Sequence, residues 1–280
     1  MTSFDGFKKT KDYLICVDSD GCVMDSMSVK HIECFGPAMV EEWNLREFRA
    51  DALRIWNEVN LYTATRAINR FKGLDIVLNR INQEYCMIDG IEELDEWCST
   101  AKRLSNPSLE EAIAKTDSPM LSKALAWSNE VNHRVYELSD RILPFKGAEK
   151  GLQKASEAAD IVVVSSANPK AVLEEWGKHG LDSYPQLFLC QDAGPKEYCI
   201  SEMLKFGYDV SQVLVLGDAP GDSKAAASNG VCFYPINVNH EVESWKEFSD
   251  KAVEVFVKGE YESYGQTKLK EFLINLGITQ

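Results

Sequence analysis

Apolar residues in this chain gather into five short runs, Tyr13–Val17, Ile161–Val164, Leu187–Cys190, Val213–Leu216 and Val231–Tyr234. None alternates with polar residues, the pattern of parallel strands buried on both faces. Between the later runs the spacing turns helical, over Gly147–Ala158, Pro169–His179, Lys196–Phe206 and Asp222–Ser228. Strand and helix in repeated alternation predict a doubly wound α/β sheet. The stretch from Ser28 to Ile142 holds no strand-like run but several helical ones. In one, Leu121, Leu125, Val131, Val135, Leu138 and Ile142 form an apolar stripe broken only at Ser128. An all-helical insertion after the first strand follows, hinged near Asp25–Met27 and near Leu143–Gly147, where Pro144 and Gly147 stand. The expected domains are therefore 1–27 with 143–280, and 28–142. Beyond Pro235, helices are expected over Val242–Val257 and Gln266–Leu276, joined by Gly259–Gly265 and covering the sheet.

Composition narrows the function classes. The 280 residues are 45% hydrophobic and 26% charged, ordinary for a folded chain. A net charge of −14 repels polyanions, and no Lys/Arg run opposes it, so neither nucleic acid nor an anionic membrane is an expected partner. The longest apolar stretch is too short to span a bilayer, and MTSFDGFKKTKDY lacks the apolar segment of a secretory signal, so a cytoplasmic location is expected. Eight cysteines occur without a C-x-x-C pair, several inside apolar runs, which favours reduced core thiols. Four histidines, at 31, 133, 179 and 240, share no metal spacing and are expected at the surface or its boundary.

The chemistry concentrates where strands end. Asp18, Ser19, Asp20 and Gly21 directly follow the first run, so two carboxylates occupy the turn at its C-terminal edge, where ligands of open α/β sheets bind. Taken alone, Asp20–Gly21 also reads as a simple turn. Three further strand ends add to it: Ser165 after IVVV, Asp218 after VLVLG with Asp222 four residues on, and Lys196 opening the helix after Leu187–Cys190. Parallel strands would bring these to one edge. Clustered carboxylates demand a cation, and an oxygen-only donor set suits Mg²⁺.

With DSDGCVMD at 18–25, Ser165 after an apolar strand, Lys196, and GDAPGD at 217–222, the chain resembles the haloacid dehalogenase superfamily over roughly 10–27 and 143–236. The resemblance implies a Rossmann-like parallel sheet core with a helical cap inserted after strand one. It implies Asp18 as nucleophile forming an aspartyl phosphate and Asp20 as general acid and base. It further implies Mg²⁺ held by Asp18, the Asp20 carbonyl and Asp218 with Asp222 near, Ser165 bonded to the phosphoryl group, and Lys196 offsetting charge. An acid at position 20, where dehalogenases of the family carry an aromatic residue, points to a phosphate ester or a sugar phosphomutase. Cys22 replaces the commoner Thr or Val, and Pro195 precedes rather than follows the lysine.

Substrate candidates are Ser166, which is the alternative to Ser165 for contact with the phosphoryl group, and Asn168. In the insertion, Arg66, Asn69 and Arg70 fall at i, i+3 and i+4 and are expected on one helical face, as an anion clamp or as a solvated, salt-bridged face. Asp25 reads equally as a helix cap. The expected activity is a Mg²⁺-dependent phosphatase acting on a small phosphorylated metabolite. A phosphomutase resembling β-phosphoglucomutase is the alternative, and a non-catalytic binding module is a third reading.

Overall fold

The computed structural model describes residues 4–138 and 141–278. Five parallel strands, β1 (Tyr13–Val17), β2 (Ala159–Val164), β3 (Leu187–Leu189), β4 (Val213–Gly217) and β5 (Cys232–Pro235), form one sheet in the order β3-β2-β1-β4-β5. Val17 stands opposite Val163 on one side and Leu216 on the other. The strand order reverses between β1 and β4, so a crevice is expected outside their C-terminal ends. The apolar runs fell where they did because β1, β2 and β4 are buried almost throughout. Ile15, Val17, Ile161, Val163, Leu214 and Leu216 join one hydrophobic cluster with Trp245, Phe248 and Phe256.

The chain divides into two compact units: Met1–Ser26 with Ile142–Gln280, and Met27–Arg141. The helical unit runs through α1 (Ser26–Lys30), α2 (Gly36–Glu42), α3 (Arg49–Asn57), α4 (Arg70–Glu84), α5 (Ile91–Thr100), α6 (Asn106–Thr116) and α7 (Pro119–Leu138). Its own cluster surrounds Trp56, Phe71, Leu78 and Trp127. The stripe expected to reach Ile142 keeps Leu121, Val131 and Leu138 in that cluster. Residues 139–140 lie outside the described residues, and Ile142 packs in the sheet unit instead. His31, expected near the surface, is buried: its ring stacks on Phe35 at 4.5 Å, and its Nδ1 accepts the Trp56 indole N–H at 3.1 Å.

The sheet unit adds α8 (Ala148–Ala158), α9 (Pro169–Lys178), α10 (Lys196–Leu204), α11 (Pro220–Ser228), α12 (Glu241–Glu247), α13 (Val253–Val257) and α14 (Tyr261–Asn275). Helix α14 begins five residues before the expected start. Tyr261 is buried and donates its hydroxyl to the Phe233 carbonyl, 3.0 Å, so packing anchors a first turn that the sequence reads as a linker. The two crossings into and out of the helical unit are tied together: Asp25 N–H donates to Leu143 O and Phe145 N–H to Val23 O, both at 2.9 Å. No helix among the described residues is long and apolar enough to cross a membrane.

Candidate active site

Strand β1 ends at Val17, and the Asp18 N–H still reaches across to Leu216 O of β4 at 3.0 Å, which holds Asp18 at the switch in strand order. The turn that follows closes on Ser19, whose carbonyl accepts Val23 N–H at 3.0 Å and Met24 N–H at 2.9 Å. Gly21 takes a φ of 81°, a left-handed conformation that side chains disfavour. Strand β4 delivers Asp218 one residue past Gly217. A side chain at Gly217 would lie 2.3 Å from the Asp222 Cβ, so only glycine lets Asp222 fold back at the start of α11. There Asp222 Oδ2 accepts the Ala219 N–H at 3.0 Å, capping the helix.

Asp18, Asp218 and Asp222 are all buried and each offers an oxygen within 4.8 Å of the others. Lys196, the first residue of α10, enters this cluster with its Nζ 2.7 Å from Asp18 Oδ1 and 2.6 Å from Asp222 Oδ1. Burial pushes the Asp18 carboxyl up; Lys196 works against that, and Asp222 and Asp218 add to it. For Lys196 burial acts downward, but the Asp18 and Asp222 carboxylates outweigh it and hold the ammonium above the ordinary lysine value. Three carboxylates against one ammonium leave a formal −2 (−3 + 1) in a buried site. Oxygen-only donors with that deficit fit a small divalent cation such as Mg²⁺.

The remaining sequence candidates separate. The Asp20 carboxylate is not one of the three; it is half-buried and accepts the hydroxyl of the buried Ser26, a partner that no spacing rule singles out. Ser165 is buried at the end of β2, its N–H on Leu189 O at 2.9 Å and its Oγ accepting the Ala167 N–H at 3.2 Å. Ser166 is exposed, and Asn168 caps α9 by accepting the Lys170 N–H at 2.9 Å.

Arg66, Asn69 and Arg70 do not share a helical face. Helix α4 begins at Arg70 with Asn69 as its cap, and Ala67 before it has a φ of 57°, which breaks the periodicity. Arg66 is buried and donates to Leu61 O at 2.8 Å, while Asn69 donates to Leu104 O at 3.1 Å. The Arg70 guanidinium lies over the Phe35 ring and donates to Ser128 Oγ at 3.1 Å and Asn132 Oδ1 at 2.7 Å. Asp25 immediately precedes α1, as a cap would.

No protein-family model matches the chain, and no curated protein sequence matches it. Solved structures do. A protein of Bacteroides fragilis assigned as a haloacid dehalogenase-like hydrolase superposes with a TM-score of 0.52 at 15% identity, over 84% of this chain and 93% of that one. The chain has the haloacid dehalogenase-like fold. A protein of Lactobacillus delbrueckii subsp. bulgaricus assigned as a phosphoglycolate phosphatase matches with a TM-score of 0.52 at 14% identity, over 90% and 99%. A haloacid dehalogenase-like hydrolase of Streptococcus pneumoniae matches with a TM-score of 0.50 at 11% identity, over 84% and 90%. In this haloacid dehalogenase-like fold the carboxylates stand at the ends of β1 and β4, flanking the switch point.

Proposed function

We propose that the protein is a Mg²⁺-dependent phosphatase that hydrolyses a small phosphorylated metabolite through an aspartyl phosphate on Asp18. The observation that carries this reading is the Lys196 ammonium shared between Asp18 and Asp222 inside a buried three-carboxylate cluster. Asp18, Asp218 and the Asp20 carbonyl would hold the cation, with Asp222 beside them. When bound, Mg²⁺ supplies positive charge against the phosphoryl oxygens.

An Asp18 oxygen attacks phosphorus, the ester P–O bond breaks, and the leaving oxygen takes a proton from Asp20. Water then attacks phosphorus while Asp20 accepts its proton, and the Asp18–phosphorus bond breaks to release phosphate and the free carboxylate. Lys196 opposes the effect of burial on the Asp18 carboxylate and balances charge as the phosphoryl group arrives. Ser165 lies at the end of the adjacent strand as a donor to that group. Because Asp20 accepts the Ser26 hydroxyl, its carboxylate is held in one orientation between proton transfers. The internal bonds of Arg66, Asn69 and Arg70 favour a structural role for all three, and Ser166 and Asn168 remain the candidates for substrate contact. The net charge of −14 supports neither nucleic acid nor an anionic membrane as partner.

Turnover of a panel of phosphorylated metabolites with Mg²⁺, abolished by chelator and restored by the metal, is the expected result. Acid-quench trapping assigns the roles. Asp18→Asn should trap no phosphoenzyme. Asp20→Asn should accumulate label from an aryl phosphate, whose leaving group needs little protonation, and slow turnover of alkyl esters by about 10²–10⁴-fold. Full activity in excess chelator, or stoichiometric labelling of Asp18→Asn, refutes the reading. Label recovered on a second sugar hydroxyl rather than as inorganic phosphate would instead identify a phosphomutase.

A further inference from the structure

Ser19 stands between the two aspartates that the proposed chemistry needs, and it is bonded on both sides. Its carbonyl closes the turn through Val23 and Met24 N–H, while its hydroxyl accepts the indole N–H of Trp176 at 2.9 Å. Both side chains are fully buried. Trp176 belongs to α9, the helix that follows the Ser165 turn, and its ring meets Phe188 of β3 edge-on at 5.5 Å. One indole thus links the β1 turn to the element that follows β2.

A side chain at position 19 held by dispersion alone would be confined in volume but not in orientation, whereas a hydrogen bond is directional. The indole has one donor and no acceptor, so a Trp176 ring in this packing has Ser19 Oγ as its partner. Ser19 is peptide-bonded to both Asp18 and Asp20, so any shift of its side chain is passed to the two carboxylates. Misplacement by about 1 Å is enough to cost about a hundredfold in rate.

We propose that Trp176 is a positioning residue for the Asp18–Ser19–Asp20 turn: its hydrogen bond to Ser19 sets how deeply the turn seats against α9, and so where both carboxylates stand relative to Lys196. The catalytic half of this inference rests on the phosphatase reading; the positioning half does not.

The test compares wild type, Trp176→Phe, Ser19→Ala and the double variant. Amide hydrogen exchange in the metal-free protein should be about tenfold faster at Val23 and Met24 in each single variant, the change expected from losing one such bond. The double variant should be no faster, and the amides of β2 and β4 should be unchanged. With an aryl phosphate and Mg²⁺, kcat should fall about tenfold in each single variant while KM stays within about twofold, and the two losses should not add. Unchanged exchange at Val23 and Met24, equal acceleration across the sheet, or an unchanged kcat each overturns the proposal. If wild type hydrolyses no phosphate ester at all, the phosphatase reading falls and the exchange pattern alone decides the positioning role. Should Trp176→Phe fail to fold, Ser19→Ala, which deletes a single oxygen, carries both measurements.

Discussion

At Lys196 a single ammonium faces two buried carboxylates, with a third beside them, and most of the local electrostatics depends on it. Replacing it with Met keeps the length of the stem and removes the charge. Breaking a buried pair in this way costs about 3–5 kcal/mol because the partner charges stay uncompensated. Lys196→Met should therefore lower the unfolding midpoint in chelator, gain more from added Mg²⁺ than wild type does, and lose about 10²–10³-fold in turnover. A variant as stable as wild type in chelator would show that the ammonium is not what compensates the cluster. The acidic residues and this lysine were legible in the sequence because a charge placed where an apolar run stops needs a reason. Ser26 and Trp176 were not, since a hydroxyl and an indole resemble any others until the fold brings Trp176 to Ser19 across 157 positions.

Between elements, a partly buried carboxyl gives the helical unit a pH dependence of its own. Asp75 on α4 is pushed up to about 6, first by burial and then by Asp95 on α5, while Asn79 on its own helix opposes the shift by donating to it at 2.9 Å. A carboxyl whose folded value lies above its unfolded value of 3.8 binds more protons in the native state. Stability therefore falls as pH rises from about 4 to above 6. Half-exposure and solvent screening reduce the effect to about 1 kcal/mol. Asp75→Asn should remove it, so the variant should gain on wild type in unfolding midpoint between pH 4 and pH 7; parallel curves would refute the assignment. The elements themselves were legible to differing degrees. Strands buried on both faces announce themselves as apolar runs, and β1 coincides with its run to the residue. The spacing of Arg66, Asn69 and Arg70 looks helical although a positive φ at Ala67 interrupts it, and the start of α14 is hidden because a tyrosine buried by packing looks like a linker residue.

Across the whole molecule, each unit has its own hydrophobic cluster: among the described residues, the buried members of one lie between Cys34 and Leu138 and those of the other lie outside that span. A unit with a core of its own is able to fold alone. The chain leaves and re-enters the sheet unit through two segments that are hydrogen-bonded to each other, Asp25 to Leu143 and Val23 to Phe145, so a bridge between them has little distance to cover. Closing a short loop there costs little entropy compared with burying the sheet core. Replacing residues 27–141 with a short Gly/Ser bridge should thus leave a protein that unfolds cooperatively and keeps all of Asp18, Asp20, Ser165, Lys196, Asp218 and Asp222. Its unfolding midpoint should rise with Mg²⁺, as the intact chain's should, because the proposed donors lie in this unit. The separate 27–141 fragment should give a helical circular dichroism spectrum, a cooperative transition and no response to Mg²⁺. A bridged sheet unit that melts without cooperativity would mean that the two clusters depend on one another. A fragment stabilised by Mg²⁺ would mean that the cation's ligands are not the carboxylates at the ends of β1 and β4.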